Sequence, residues 1–202
     1  MPYSDFKTIK DVKAKFPITV SSTLALFQNV EETQPSELLN AVLTENIPVA
    51  LNVNTEKARS ELIITPILME VRKLFDRQIS FFSGIDFTVD VEQGLSGYCD
   101  YILSRSPDQM FMTAPAVCMV EAKNESIKSA YGQCLAEMIA AQKFNQTELQ
   151  EANSMTTIWG VVTTGSIWRF LRLEENKAFV DSDEYLISQL PKILGIFQHI
   201  IR

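Results

Sequence analysis

The fold is decided by the stretch Ala116-Val117-Cys118-Met119-Val120-Glu121-Ala122-Lys123. Its first five residues are apolar and follow a proline, so they predict a short strand that is buried in the protein. A second apolar run, Gly97-Tyr98-Cys99-Asp100-Tyr101-Ile102-Leu103, lies about twenty residues upstream and predicts another buried strand. Gly, Ser and Pro residues bound both runs, which is typical of strand ends.

Two acids and one lysine lie at or near the ends of these predicted strands. Buried strands rarely carry charge, because an unpaired buried ion is energetically costly. Side chains two residues apart on a strand share a face, so Glu121 and Lys123 are expected to point the same way. With Asp100 they form a set that can hold a divalent cation and activate a water molecule beside it. The alternative is an internal salt bridge in which Lys123 pairs with one of the two acids and does nothing else.

The residue types favour magnesium as the cation. Magnesium takes oxygen ligands in octahedral geometry and keeps several of its waters, so two carboxylates are enough to hold it. The predicted ligands are Asp100, Glu121 and the backbone carbonyl of Ala122, with manganese as a substitute for magnesium. Lys123 is expected to position or deprotonate the water, or to neutralise the charge that develops on a phosphodiester.

Two further residues are candidates for the same site. Glu61 lies in the first half of a predicted long helix, where it can add a carboxylate through a water or simply solvate the helix surface. Gln133 flanks the apolar stripe of a later helix, where it can orient the water or contact a phosphate.

The predicted elements around Glu121-Ala122-Lys123, rather than the acid-x-lysine pattern itself, support the prediction of a metal site. The chain contains four such tripeptides, which begin at Asp5, Asp11, Glu121 and Glu175. The first two lie on a predicted amphipathic helix and the last in a polar turn, so solvent exposure explains them. Only the tripeptide at Glu121 follows a buried strand, precedes an amphipathic helix and has an upstream strand that bears an acid.

Hydrophobic periodicity predicts the remaining elements. The predicted helices lie over 4–16, from Pro35, from 54 or 55 to 75 with a kink at Pro66, over 126–143, and over 184–201 with interruptions at Pro191 and Gly195. The predicted strands lie over 47–53 and 79–91 and in a hairpin over 157–163 and 166–173, and residues 17–30 are expected to be extended. Hairpin-connected strands followed by a helical crossover predict an α/β fold with a mixed sheet and helices on both sides.

The composition excludes several classes of site. Cys99, Cys118 and Cys134 occur singly in apolar contexts, which predicts buried reduced thiols rather than zinc ligands or disulfides. His199 is the only histidine, so any site needing two histidines is excluded, and we expect it on a helix surface. The net charge of −7 counts against binding nucleic acid mainly through phosphate neutralisation.

The sequence also predicts the setting of the protein. Its apolar runs are far shorter than the roughly 20 residues that a membrane-spanning helix needs, so we expect no membrane partner. The N-terminal residues do not read as a secretory signal, so a cytoplasmic location is expected.

The arrangement of these charged residues on the predicted elements resembles that of the PD-(D/E)XK nuclease superfamily, which has the restriction-endonuclease-like fold. It consists of an acid on one strand, an acid-x-lysine tripeptide at the end of the next strand, and a helix on either side. The resemblance implies a core of helix, three strands, helix and strand over residues 55–173, inside a single domain of 1–202 with an N-terminal extension (1–54) and a C-terminal helix (174–202). It also implies that Asp100 and Glu121 are metal ligands, that Lys123 is the catalytic lysine and that Glu61 and Gln133 are auxiliary residues. Cys99 stands where many members have proline.

We therefore expect a magnesium-dependent nuclease that hydrolyses phosphodiester bonds in DNA or, as a less favoured substrate, RNA. The alternative is a catalytically silent module that uses the same fold to bind a partner protein or nucleic acid. The last helix can support a homodimer through Phe197, Ile200 and Ile201, or the same residues can cover the sheet within one subunit.

Overall fold

A computed structural model describes residues 2–149 and 157–202. In these two ranges, eight strands form one mixed sheet in the order β1-β7-β6-β5-β4-β3-β2, with β8 paired to the start of β6. The strands are β1 (Thr19–Ser21), β2 (Ser80–Asp86), β3 (Tyr98–Ser104), β4 (Ala116–Ala122), β5 (Thr157–Thr163), β6 (Ile167–Glu174), β7 (Lys177–Val180) and β8 (Tyr185–Leu186). The protein is thus a mixed α/β protein, as the periodicity predicted.

Helices cover both faces of this sheet. They are α1 (Ile9–Lys15), α2 (Glu37–Val53), α3 (Glu56–Arg59), α4 (Thr65–Leu74), α5 (Tyr131–Leu149) and α6 (Leu190–Ile201). One apolar core lies between the sheet and α1 and α5, and a second lies between the sheet and the other helices. None of the helices in the described parts of the chain has the length and apolar character needed to cross a membrane.

The centre of the sheet positions the residues of interest. Strands β2, β3 and β4 are antiparallel neighbours, whereas β4 and β5 are parallel. A parallel connection needs a crossover, and α5 lies in the connection between β4 and β5. Every residue of β4 is buried, including Glu121. The chain therefore places a carboxylate inside a strand that is otherwise apolar.

The long helix predicted from residue 54 or 55 to 75 is present as α3, a π-helical turn over Ser60–Ile64, and α4. Thr55 caps it by accepting a hydrogen bond from the Ala58 backbone N–H. Proline has no N–H to donate to the carbonyl four residues earlier, which explains why the regular α-helical bonding is interrupted before Pro66. The side chain of Asn46 donates to the Leu62 carbonyl at 3.0 Å and supplies the missing partner.

The predicted strand over Ile47–Val53 is wrong, because these residues form the second half of α2. Leu39, Leu43 and Ala50 are buried at spacings of four and seven residues, so the helix packs one stripe against the core. This packing outweighs the strand propensity of the β-branched residues and holds Pro48 inside the helix.

Three further boundaries differ from the sequence-based expectation. The extended stretch over 17–30 contains only the short β1, which pairs parallel with β7, and the predicted strand over 79–91 ends at Asp86. The helix expected over 4–16 is confined to α1, after a separate 3-10 turn at Tyr3–Asp5. The short strands β7 and β8 were not predicted, because runs of four and two residues carry too little alternation to be recognised.

The final helix begins later than predicted, and neither Pro191 nor Gly195 interrupts it. Pro191 lies in the first turn of this helix, where a backbone N–H has no acceptor within the helix. The N–H that proline lacks therefore costs no helical hydrogen bond. Gly195 is buried against the backbone carbonyl of Glu31, so a side chain at this position would collide with that backbone.

The apolar side chains proposed for a dimer contact are buried in this chain. Phe197, Ile200 and Ile201 are at most 2% exposed and belong to the core between the helices and the sheet. The last helix therefore covers the sheet within one subunit, which was the other of the two alternatives. His199 lies on the exposed side of the same helix, and the three cysteines are buried free thiols, as expected.

Candidate active site

The two predicted acids lie side by side at one end of the sheet. The register that pairs Tyr101 of β3 with Val120 of β4 places Asp100 next to Glu121 one step further along. The backbone N–H of Ala122 donates to Oδ2 of Asp100 at 2.8 Å, so the carboxylate of β3 is held against the end of β4. The antiparallel pairing of two apolar runs is thus sufficient to bring these carboxylates together.

Glu121 is only 1% exposed, and its carboxyl group interacts with Lys123 and with the carboxyl group of Glu137. The Nζ of Lys123 donates to Oε1 of Glu121 at 2.5 Å, whereas no donor group among the described residues reaches the buried Oε2. Burial and the negative charge of Asp100 raise the pKa of Glu121 to about 8, against the opposing effect of Lys123. A negative charge on Glu121 is therefore unfavourable without a further cation.

Glu137 is a fourth ionisable group of this cluster, which the sequence pattern did not single out. It lies on α5 and is fully buried, its Oε1 accepts from Nε2 of Gln133 at 3.1 Å, and its carboxyl group interacts with that of Glu121. Burial and the charge of Glu121 raise the pKa of Glu137 well above its usual value. A sequence signal existed, because Glu137 occurs three residues after Cys134, on the apolar stripe of the helix.

Gln133 and Glu61 are related to these acids in different ways. Gln133 contacts Glu137, so it is linked to the acids through that carboxylate. Glu61 is largely exposed and forms a salt bridge of 2.8 Å with Lys57. It lines a cleft of about 280 Å³ that also contains Asp100.

Glu56, five residues before Glu61, lies closer to the lysine. Its Oε2 is 3.9 Å from Nζ of Lys123, and it lines the same cleft as Asp100. Burial and the charge of Asp100 raise the pKa of Glu56, whereas Lys123 opposes the shift. No local pattern favours Glu56 over other acids, because it occupies the first helical turn, where acids are common as partners of the helix dipole.

Three carboxyl groups, those of Glu56, Asp100 and Glu121, thus act on the ammonium group of Lys123, and Glu137 adjoins Glu121. Glu56, Glu121 and Glu137 have raised pKa values, so their ionised forms are unfavourable in this cluster. A divalent cation would favour the ionised form of Glu121 and therefore fits this set of acids.

The ligand set itself remains a prediction. Within residues 2–149 and 157–202, no three His, Cys, Asp or Glu side chains form a preassembled cation cage. Magnesium that keeps most of its waters needs only the two carboxylates Asp100 and Glu121, together with the carbonyl of Ala122. The side chains present therefore fit a hydrated hard cation.

The raised pKa values predict a pH dependence of stability. Glu121 binds a proton more tightly in the folded protein than in the unfolded chain, so the free energy of unfolding should fall as the pH rises from 4.5 toward 8. In buffer without divalent cations, we expect a loss of roughly 1–3 kcal/mol over this range, measured by urea unfolding. Millimolar magnesium should oppose the loss by stabilising the ionised carboxylates.

Two variants check the origin of this slope. Glu121→Gln should reduce the fall in the free energy of unfolding, and the remaining fall comes from Glu137 and Glu56, whose pKa values are also raised. Glu92→Gln, which changes an exposed acid, should leave the fall unchanged. A rise in the free energy of unfolding with pH, or a fall as large in Glu121→Gln as in the wild type, would contradict the assignment.

No protein-family model matches the sequence, and no curated protein matches it.

Proposed function

We propose that this protein is a metal-dependent nuclease of the PD-(D/E)XK type that hydrolyses phosphodiester bonds in DNA or RNA. One observation carries the proposal: Asp100 and Glu121 lie side by side at the ends of two core strands, and Lys123 is hydrogen-bonded to Glu121. An isolated structural salt bridge would need one acid, whereas here the lysine faces an excess of acids. Asp100 and Glu121 are the proposed metal ligands, and magnesium or manganese is the proposed cofactor.

The architecture supports a restriction-endonuclease-like core. A helix (α3 to α4) precedes three antiparallel strands (β2, β3 and β4), and α5 then leads to the parallel strand β5. This order agrees with the helix, three strands, helix and strand that the resemblance implies. Fold alone does not establish activity, so the proposal depends on the site.

The residues of the site have separable roles. A bound divalent cation lowers the pKa of a coordinated water and stabilises charge on a phosphodiester. Asp100 is held by the Ala122 N–H and Glu121 by the Nζ of Lys123, so both carboxyl groups are oriented before any cation binds. Gln133 holds the neighbouring Glu137 by a hydrogen bond and thereby fixes the buried wall behind Glu121.

Lys123 is suited to act as a cation rather than as a base. Burial lowers its pKa, but the charges of Glu121, Glu56 and Asp100 outweigh this effect, and the net pKa is raised. The ammonium group therefore stays protonated near neutral pH. It can neutralise charge that develops on the phosphate, whereas removal of a proton from water is unfavourable for it.

The direct test is cleavage of labelled single-stranded and duplex DNA, and of RNA, in magnesium or manganese. Lys123→Ala is expected to lower the cleavage rate by about 10²- to 10³-fold, as for the loss of one group that stabilises transition-state charge. Lys177→Ala, which removes an exposed lysine at the opposite end of the sheet, is the matched control and should retain activity. Equal activity of all three proteins would show that another site or a contaminant cleaves the substrate.

A catalytically silent binding module is the second candidate function. The net charge of −7 favours it, because nucleases that track a phosphate backbone are commonly basic. The close contact between Lys123 and Glu121 also favours it, because this lysine is already paired. Absence of cleavage by the folded wild-type protein on every substrate, with all metals, would support this candidate.

A further inference from the structure

A basic segment near the N-terminus departs from the acidic character of the chain. Residues 7–15 contain four lysines and one aspartate, a net charge of +3 in a protein of net charge −7. The lysines are Lys7, Lys10, Lys13 and Lys15, and all of them are exposed. The segment comprises α1 and the two residues before it.

The acid in this segment, Asp11, forms a hydrogen bond with the helix backbone and, among the described residues, no salt bridge with a lysine. The Asp11 carboxylate accepts from the backbone N–H of Thr8 at 2.7 Å and so completes a capping box at the start of α1. In the described ranges, none of the four lysines forms a salt bridge, although Lys15 lies over the ring of Phe6 at 5.9 Å. Lys7, Lys10 and Lys13 therefore present three uncompensated positive charges to solvent.

The fold places the start of this segment at the same end of the molecule as the candidate site. The backbone of Thr8 packs against Gly132 so tightly that a Cβ at Gly132 would lie 2.7 Å from the Thr8 nitrogen. Gly132 directly precedes Gln133, whose side chain bonds Glu137 behind Glu121. The glycine thus lets α1 cross the beginning of α5, next to the acids.

Buried packing keeps α1 in that position. Val12 is fully buried and Phe16 is 7% exposed, and both belong to the core formed with α5. The lysines alternate with these apolar residues, so one side of the segment packs against the protein and the other is basic.

We propose that Lys7, Lys10 and Lys13 form the surface that binds the phosphate backbone of the nucleic-acid substrate; this inference rests on the proposed nuclease function. The site itself offers a polyanion little attraction, because its lysine, Lys123, is already paired with Glu121. A separate cationic surface beside the site would supply the attraction that the site lacks. It would also give residues 7–15 of the N-terminal extension a role in substrate binding.

Binding can be separated from cleavage by using Lys123→Met as the background, in which the substrate should stay intact. Affinity for a labelled duplex of about 20 base pairs is measured by fluorescence anisotropy in magnesium, over a series of salt concentrations. Addition of Lys7→Ala, Lys10→Ala and Lys13→Ala is expected to weaken binding at least tenfold near 0.1 M salt. The slope of log K against log salt should become shallower by about 2 to 3, since each phosphate contact contributes about 0.9.

The charge-matched control is Lys73→Ala, Arg77→Ala and Lys177→Ala, which removes three positive charges at the opposite end of the sheet. Unchanged affinity and slope in the α1 variant, or an equal loss in the control, would overturn the inference about α1. Cleavage by the otherwise wild-type protein would still support the nuclease proposal in that case. Conversely, weakened binding in the α1 variant without cleavage by the wild type would support the α1 surface and overturn the nuclease proposal.

Discussion

Asp100→Asn is expected to slow cleavage by at least about 10³-fold. A metal ion contributes several kcal/mol of transition-state stabilisation, and each 1.36 kcal/mol is a tenfold change in rate. The substitution keeps an oxygen that can accept from the Ala122 N–H, so the end of the sheet should stay intact. It removes the negative charge beside Glu121, so magnesium affinity should fall as well. Single-turnover cleavage and calorimetric titration with magnesium measure the two effects.

The same chemical change at Asp76 provides the control. Asp76 follows α4 at the opposite end of the sheet and has a left-handed backbone conformation, which asparagine also adopts. Asp76→Asn should therefore leave cleavage and magnesium binding within about twofold of the wild type, as expected of surface substitutions away from special features. If Asp100→Asn cleaves within threefold of the wild-type rate, Asp100 is not a metal ligand for the reaction.

Phe170→Ala is expected to destabilise the protein by about 3–5 kcal/mol, the range for removing a large buried aromatic side chain. Phe170 is fully buried on β6. Its ring packs edge-on against Phe27 and Phe197 at 5.5 Å and against Tyr185 at 5.7 Å between ring centroids. These contacts join the N-terminal region, β8 and α6 to the sheet, so the cavity has little freedom to collapse. Urea unfolding followed by circular dichroism measures the loss.

Phe111→Ala is the matched control for this prediction. The side chain of Phe111 is 64% exposed in the loop before β4, so its truncation should change the free energy of unfolding by no more than about 0.5 kcal/mol. A similar loss in both variants would mean that Phe170 does not anchor the core in the way described.

The local pattern predicted the sheet centre and α5 because those elements have strong periodicity. The β3 and β4 runs are largely apolar, with one acid each, and the stripe from Ile127 to Ile139 repeats at helical spacing. Short elements and α2 were not predicted well, since their identity depends on neighbours far along the chain. Residues 47–53, for example, are helical because α2 packs along the long helix.

The same contrast applies to the candidate site. Asp100, Glu121 and Lys123 were recognised because charge in a buried strand is unusual, and strand geometry alone brings them to one neighbourhood. Glu56 and Glu137 reach the same neighbourhood from two helices on opposite faces of the sheet. No local spacing relates these helices to the strands.

For this protein, periodicity and the rarity of buried charge were enough to identify the α/β class, the central strands and three charged residues of interest. These signals are local, because they depend on residues within one strand or one helix. Tertiary packing alone decided that Glu56 rather than Glu61 lies next to Lys123, that Glu137 lies behind Glu121 and that the basic helix α1 crosses the start of α5. Such contacts depend on the relative placement of whole elements, and long-range burial, rather than any neighbouring residue, determines that placement.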